Sequence, residues 1–227
     1  MNGRSLRLAL LGESQVDEAA LAILVESVLG RPFQHVQPGL RARGWPSVIQ
    51  ILPAIARHLH FNTDADALVI LVDADDTEPH GAHHEAPGYF HPRCRLCQLR
   101  AVFRRATRHL PAVNGRARLL RAIGLAVPAA EAWYLCGRDE TVSEANWGEG
   151  RTTGRPPYTR RELKARVYGT DRPNLSQALA GATAAAQRHA RDPRRLEHDF
   201  PGFAILAADL RGWGLNLEEA DSVQTAH

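Results

Sequence analysis

Two kinds of hydrophobic spacing alternate along the chain. Short, nearly continuous apolar runs read as strands buried on both faces, as parallel strands are. They are "LRLALLG" (6–12), "ALVILV" (67–72) and the interior of "ARLLRAIGLAV" (117–127). Between them, apolar residues recur every three or four positions. Residues 13–29 place Val16, Ala20, Leu24 and Val25 on one helical stripe, closed by Gly30 and Pro32. A short second strand is expected at 33–36, and Ser47 is placed to cap a helix to about Leu59, kinked or delayed by Pro53. A polar, histidine-rich loop covers 77–92, an arginine-rich helix about 93–109, and Pro128 opens a short helix, "PAAEAWYLC". Residues 146–160 read as a Gly/Arg/Pro-rich loop, and the remainder as mostly helix. Strands alternating with helices predict an α/β fold with a mostly parallel central sheet flanked by helices. The expected division is a core over 1–145, with 146–227 forming a loop and a helical C-terminal extension packed on the same domain.

The chemistry gathers where the middle run stops. In "LVILVDADDTE" the apolar strand gives way abruptly to Asp73, Asp75, Asp76 and Glu78. Side chains alternate along a strand, so Asp73 and Asp75 point the same way if the backbone stays extended. Asp76 and Glu78 then face elsewhere, and a solvated turn accounts for them. In "LLGESQVDEAA", Glu13 follows the first strand and Asp17 comes four residues later, on the same face of the first helical turns. The simpler reading is that Glu13, Asp17 and Glu18 suit the positive end of a helix dipole. If the two strands are neighbours, however, their ends converge Glu13 and Asp17 with Asp73 and Asp75. Carboxylates so crowded stay ionised only around a cation, and hard oxygen ligands favour Mg²⁺ or Mn²⁺.

Composition narrows the setting more than the chemistry. With 227 residues, 44% of them hydrophobic, the chain is long enough for a proper core. A net charge of +3 permits a polyanionic partner without requiring one. Lys164 is the single lysine among 28 basic residues, a bias that a GC-rich genome would also produce. Arg100, Arg104 and Arg108 recur at i, i+4 as a basic stripe beside the acidic cluster, suited to a DNA or RNA backbone or simply to a solvated helix face. Arg151, Arg155, Arg160 and Arg161 add charge ahead of Lys164. No run approaches a membrane span and nothing marks export, so a cytoplasmic protein is expected.

A second cluster lies within 80–97, where His80, His83, His84, His91, Cys94 and Cys97 fall together. His91-x₂-Cys94-x₂-Cys97 has spacing compatible with zinc and with a non-catalytic, zinc-clipped binding module. The competing expectation is a solvated loop, with Cys94 and Cys97 on the buried side of the following helix.

The order of the acidic motifs resembles the Toprim domain of topoisomerases, primases and nucleases. Its finer details resemble the OLD-type (overcoming lysogenization defect) nuclease Toprim domains and also a family of small bacterial Toprim-like proteins. Gly12, Glu13 and Asp17 match the first motif, and Asp73 and Asp75 match the Asp-x-Asp. "VPAAEAWYLC", with Glu131 and Trp133, resembles a Glu-Ala-Trp helix of the small proteins, followed by a later lysine and a segment like "DFPGFAILAADLRGW". "GES" stands where Glu-Gly is more usual. The resemblance implies metal-dependent phosphodiester cleavage, with Glu13 as ligand or general acid/base and Asp73 and Asp75 holding the metal. Glu131 would complete a second metal position, against a reading as an exposed helix residue, and Lys164 would stabilise transition-state charge. Trp133 reads as packing. "DADDT" also fits the opening motif of haloacid-dehalogenase-like phosphatases, with Asp73 as nucleophile and Asp75 as acid, but only Asp209 then offers a later carboxylate. A small nucleotide substrate, a defence-system protein as partner and the oligomeric state stay open.

Overall fold

The computed structural model describes residues 5–113 and 118–224, with side chains described through residue 213. Four strands, β1 (Arg7–Leu11), β2 (Gln34–His35), β3 (Ala67–Asp73) and β4 (Leu120–Ala126), form an all-parallel sheet in the order β2-β1-β3-β4. The expected α/β architecture is thus present. β4 lies inside the expected 117–127 window, whose first residue falls outside the described residues. The apolar runs are continuous because both faces of the inner strands are covered: Leu8 to Leu11 and Ala67 to Val72 are all buried.

Helices α1 (Gln15–Leu29), α2 (Trp45–Asn62) and α3 (Arg95–Thr107) belong to the strand-rich part. They are followed by α4 (Ala130–Leu135), α5 (Glu144–Thr152), α6 (Arg160–Tyr168), α7 (Leu175–His189), α8 (Arg194–Asp199) and α9 (Pro201–Gln224). α2 and α3 pack together on one side, whereas α9 packs on β4 and α1, and α7 packs on α1. The C-terminal helices therefore build on the same core. None of the described helices is long and apolar enough to cross a membrane.

Local sequence explains where these helices begin. Ser14 caps α1 by accepting from the Asp17 amide, so Glu13 sits in the strand-to-helix turn and not on the helix itself. α2 begins two residues before Ser47, with Gly44 as cap and Pro46 in the first turn, where a missing N–H costs nothing. The first half of the loop expected at 146–160 belongs to helix α5, and 153–159 remain a loop. Ser143 caps α5, and buried Trp147, stacked on Tyr158 at 5.4 Å, outweighs the low helix propensity of Gly148 and Gly150. One glycine is sterically required: a Cβ on Gly202 would lie 1.9 Å from the Leu125 carbonyl oxygen, where α9 meets β4.

This topology fixes where a ligand can sit. From β1 the chain passes to β2 on one side and then crosses to β3 on the other. The carboxyl ends of β1 and β3 thus flank the switch point, the usual crevice of an open α/β sheet.

Candidate functional site

Glu13, Asp73 and Asp75 meet at that crevice. The Asp73 amide donates to Glu13 Oε1 at 3.0 Å, tying the turn after β1 to the end of β3. Asp73 itself lies where β4 gives way to α4, its Oδ1 accepting from the Ala130 amide at 2.9 Å. Asp73 and Asp75 converge as expected, but not by strand alternation. The strand ends at Asp73, and Asp75 adopts a left-handed conformation (φ 50°) that aspartate tolerates better than most residues. Its amide donates to the Pro128 carbonyl at 2.8 Å, and the Thr77 amide and hydroxyl close the turn on the Ala74 carbonyl. Asp76 is exposed, as a solvated turn residue should be.

Two arginines neutralise part of this charge: Arg95, which the sequence did not single out, and Arg160, which it marked only among the basic residues ahead of Lys164. Arg95, at the first position of α3, donates to the Asp73 carbonyl at 2.6 Å and pairs with Asp75 at 2.7 Å. Its guanidinium lies over the Trp45 ring at 4.8 Å and 3.7 Å from Glu13. Arg160, at the start of α6, bridges Asp73 Oδ2 at 2.7 Å and Asp75 Oδ1. The sequence does carry a signal for α6. Arg160, Lys164 and Tyr168 recur at i, i+4 and i+8, and the Tyr168 hydroxyl reaches Glu131 at 3.4 Å. Lys164 therefore lies on the stripe whose two ends touch the acidic cup. It forms no ion pair among the described residues.

Glu131 is buried, which corrects its reading as an exposed helix residue: α4 runs inward beneath α6 and α7. Trp133 is packing, fully buried edge-to-face on Phe203 at 5.2 Å. The electrostatic strain of the cup follows from burial and mutual repulsion. Burial, together with the charges of Glu131 and Glu13, pushes Asp17 up to about 6 despite its hydrogen bond from the Ser14 hydroxyl. Burial and the charges of Asp17 and Glu131 hold Asp73 well above its ordinary range, against the pull of Arg160. Burial also raises Glu13, although the Asp73 amide and Arg95 oppose the shift.

Other expected residues lie elsewhere. Arg100 is engaged by Glu85 at 2.6 Å, and Arg104 and Arg108 follow α3 away from the cup to exposed positions near its C-terminus. Asp209, needed by the phosphatase reading, sits on α9 and pairs with Arg121 near the start of β4, away from Asp73.

The histidine-rich segment differs more from expectation. Cys94 and Cys97 do share a buried helix face, but His80 and His84 are buried with them instead of being solvated. Cys94 caps α3 and Cys97 lies in its first turn, while His84 is carried by a one-turn 3-10 helix at Ala82–Glu85. The ligand-capable atoms of His80, His84, Cys94 and Cys97 all lie within 4.8 Å of one another, so this set could bind a metal ion. Among the described residues it is the only set of His, Cys, Asp or Glu drawn so close; the carboxylates of the cup stand farther apart around Arg160. His91, which the sequence spacing suggested, stacks on the His84 ring at 4.9 Å. No family model, curated protein or solved structure matches the chain.

Proposed function

We propose that the chain is a Toprim-like nuclease, cleaving phosphodiester bonds of DNA or RNA with Mg²⁺ or Mn²⁺. The observation that carries this reading is uncompensated charge at a sheet switch point. Glu13, Asp17, Asp73, Asp75 and Glu131 bring five carboxyl groups against the two guanidiniums of Arg95 and Arg160, three more acids than bases. Such a donor set suits a hard divalent cation, with Glu13, Asp17, Asp73 and Asp75 as the residues to hold it. When bound, the ion would polarise a phosphoryl oxygen and supply an activated water.

The protein's own groups divide the remaining work. Arg95 is 9% exposed and held by three partners, so it fixes the turn carrying Asp75. Arg160 is 42% exposed, so it can release Asp73 and Asp75 and turn onto a phosphate. Lys164, one helical turn away, adds charge where the leaving oxygen develops it. Arg104 and Arg108 offer sequence-independent backbone contacts farther along α3. The test is cleavage of labelled single- and double-stranded DNA and RNA with chelator, Mg²⁺ or Mn²⁺. Cleavage that needs the ion and disappears in Asp73→Ala and Glu13→Ala supports the reading. Full activity in Glu13→Ala, or an acyl-phosphate trapped on Asp73, would replace it with the phosphatase alternative.

A further inference from the structure

We propose that His80, His84, Cys94 and Cys97 form a structural zinc site that fastens the 74–94 segment to α3 and so sets Arg95 in the acidic cup. The donor set is two imidazoles and two sulfurs with no oxygen, which selects a borderline-soft ion over Mg²⁺ or Mn²⁺. Two thiols fall short of the four that hold most iron–sulfur clusters. The spacing has the dimensions of a coordination shell. His80 Nδ1 lies 3.4 Å from Cys94 Sγ and 3.7 Å from Cys97 Sγ, and His84 Nδ1 lies 3.8 Å from Cys97 Sγ. A tetrahedron with Zn–N near 2.0 Å and Zn–S near 2.3 Å has an N···S edge of about 3.5 Å.

Outer groups complete the pattern. His80 Nε2 lies 2.7 Å from Glu85 Oε1, and Glu85 accepts from Arg100 at 2.6 Å. A carboxylate on the far nitrogen fixes the tautomer that leaves Nδ1 as the ligand atom. Cys94 and Cys97 stand at the N-terminal end of α3, with both sulfurs turned toward the two imidazoles. All four ligand residues are buried and both cysteines are free of disulfides, so the shell is closed, as structural zinc sites are.

The site's place in the chain gives it its role. His80 and His84 follow the Asp73–Asp75 turn closely, and Cys94 immediately precedes Arg95. One ion would therefore join both ends of the β3–α3 connection. This inference stands whether or not the cup cleaves nucleic acid.

The full chain, purified without chelator and dialysed against Mg²⁺, should retain about one zinc per chain by elemental analysis. Cys97→Ser and His84→Ala should each lose it. Because those variants could also unfold, Co²⁺ loaded into the native chain is the decisive probe: thiolate-to-cobalt charge transfer and tetrahedral ligand-field bands are expected. Less than roughly a tenth of an equivalent of zinc after reconstitution, or an octahedral cobalt spectrum, would overturn the site. Removing the ion should also speed amide hydrogen exchange in 76–94 and the first turn of α3, leaving α7 unchanged. Unaltered exchange there would overturn the fastening role.

Discussion

The acidic cup and the His/Cys cluster are neighbours joined by the Cys94–Arg95 peptide, yet they are built on opposite principles. The cluster draws its four residues from eighteen consecutive positions, and its polar atoms face one another. The cup gathers residues from Glu13 to Tyr168 and leaves carboxylates repelling each other, with Asp17 and Asp73 displaced upward by burial first and by that crowding second. A local, closed arrangement suits a part that holds the fold. A long-range, uncompensated one suits a place where a cation and a polyanion arrive. The comparison predicts that perturbing the cup changes activity more than stability, and that perturbing the cluster does the reverse.

The largest effect should come from the cup. Asp73→Ala removes a carboxylate at the end of the buried strand without opening the core, and metal-dependent cleavage should fall by about 10³-fold, with the midpoint of thermal unfolding unchanged or higher. Turnover and calorimetry on the same preparation check both halves. A cooperative loss of stability with activity retained would reverse the assignment of the two regions.

Next in size is the cluster. His84→Ala in zinc-loaded protein should lower the unfolding midpoint by roughly 5–10 °C, the scale expected for a loss of about 3 kcal/mol in a chain of this length. Activity per folded molecule should change far less than in Asp73→Ala. Thermal denaturation with and without zinc measures it; an equal midpoint in both conditions would show that the cluster is ordinary packing.

Much of this arrangement was legible before the fold was known, though unevenly. β3 and its acidic end could be read because a strand buried on both faces has a continuous apolar signature that breaks at the surface. Glu13 could be paired with Asp73 only on the expectation that their two strands are neighbours, which the order β2-β1-β3-β4 meets although β2 intervenes in the chain. Arg95 could not be singled out, nor Arg160 told apart from Arg151, Arg155 and Arg161, since nothing local distinguishes a guanidinium that will pair in the cup from the other arginines of this chain. The position of Arg95 between two cysteines was the available clue. The histidines were misjudged for a related reason: polar composition predicts a solvated loop, and only tertiary contact shows which imidazoles turn inward. α5 was hidden because its cap and the Trp147–Tyr158 stack act against unfavourable composition.

A buried acid outside the cup provides a control for it. Glu144 donates no charge to either site; its carboxylate accepts from the Gly202 amide at 3.2 Å, and burial alone pushes it up to about 7 from 4.5. A raised acid stabilises the fold relative to the ionised state fully below pH 4.5, and that contribution is lost as pH rises through about 7. Glu144→Gln keeps an acceptor for Gly202 and should flatten the pH profile between those values, by at most about 3 kcal/mol. Denaturant titrations across that range check it. Mg²⁺ should leave the Glu144 contribution unaltered, because no other carboxylate shares its surroundings in the shift.

The smallest effect is the one that tests repulsion in the cup directly. Asp17 is raised from 3.8 to about 6, by burial first and then by the charges of Glu131 and Glu13. Its favourable contribution is complete below pH 3.8 and disappears as pH rises through about 6, so at pH 8 the ionised side chain works against folding. Asp17→Asn keeps an oxygen for the Ser14 hydroxyl, which donates to Asp17 at 2.9 Å in the native chain. The variant should therefore melt a few degrees higher than the native protein at pH 8. Near pH 3.5 the two should converge, because protonated aspartate and asparagine are both neutral. Mg²⁺ at pH 8 should raise the native midpoint more than that of Asp17→Asn, since the ion relieves the same repulsion the substitution removes. A destabilised Asp17→Asn at pH 8, or equal responses to Mg²⁺, would mean that Asp17 serves only to hold the Ser14 cap of α1.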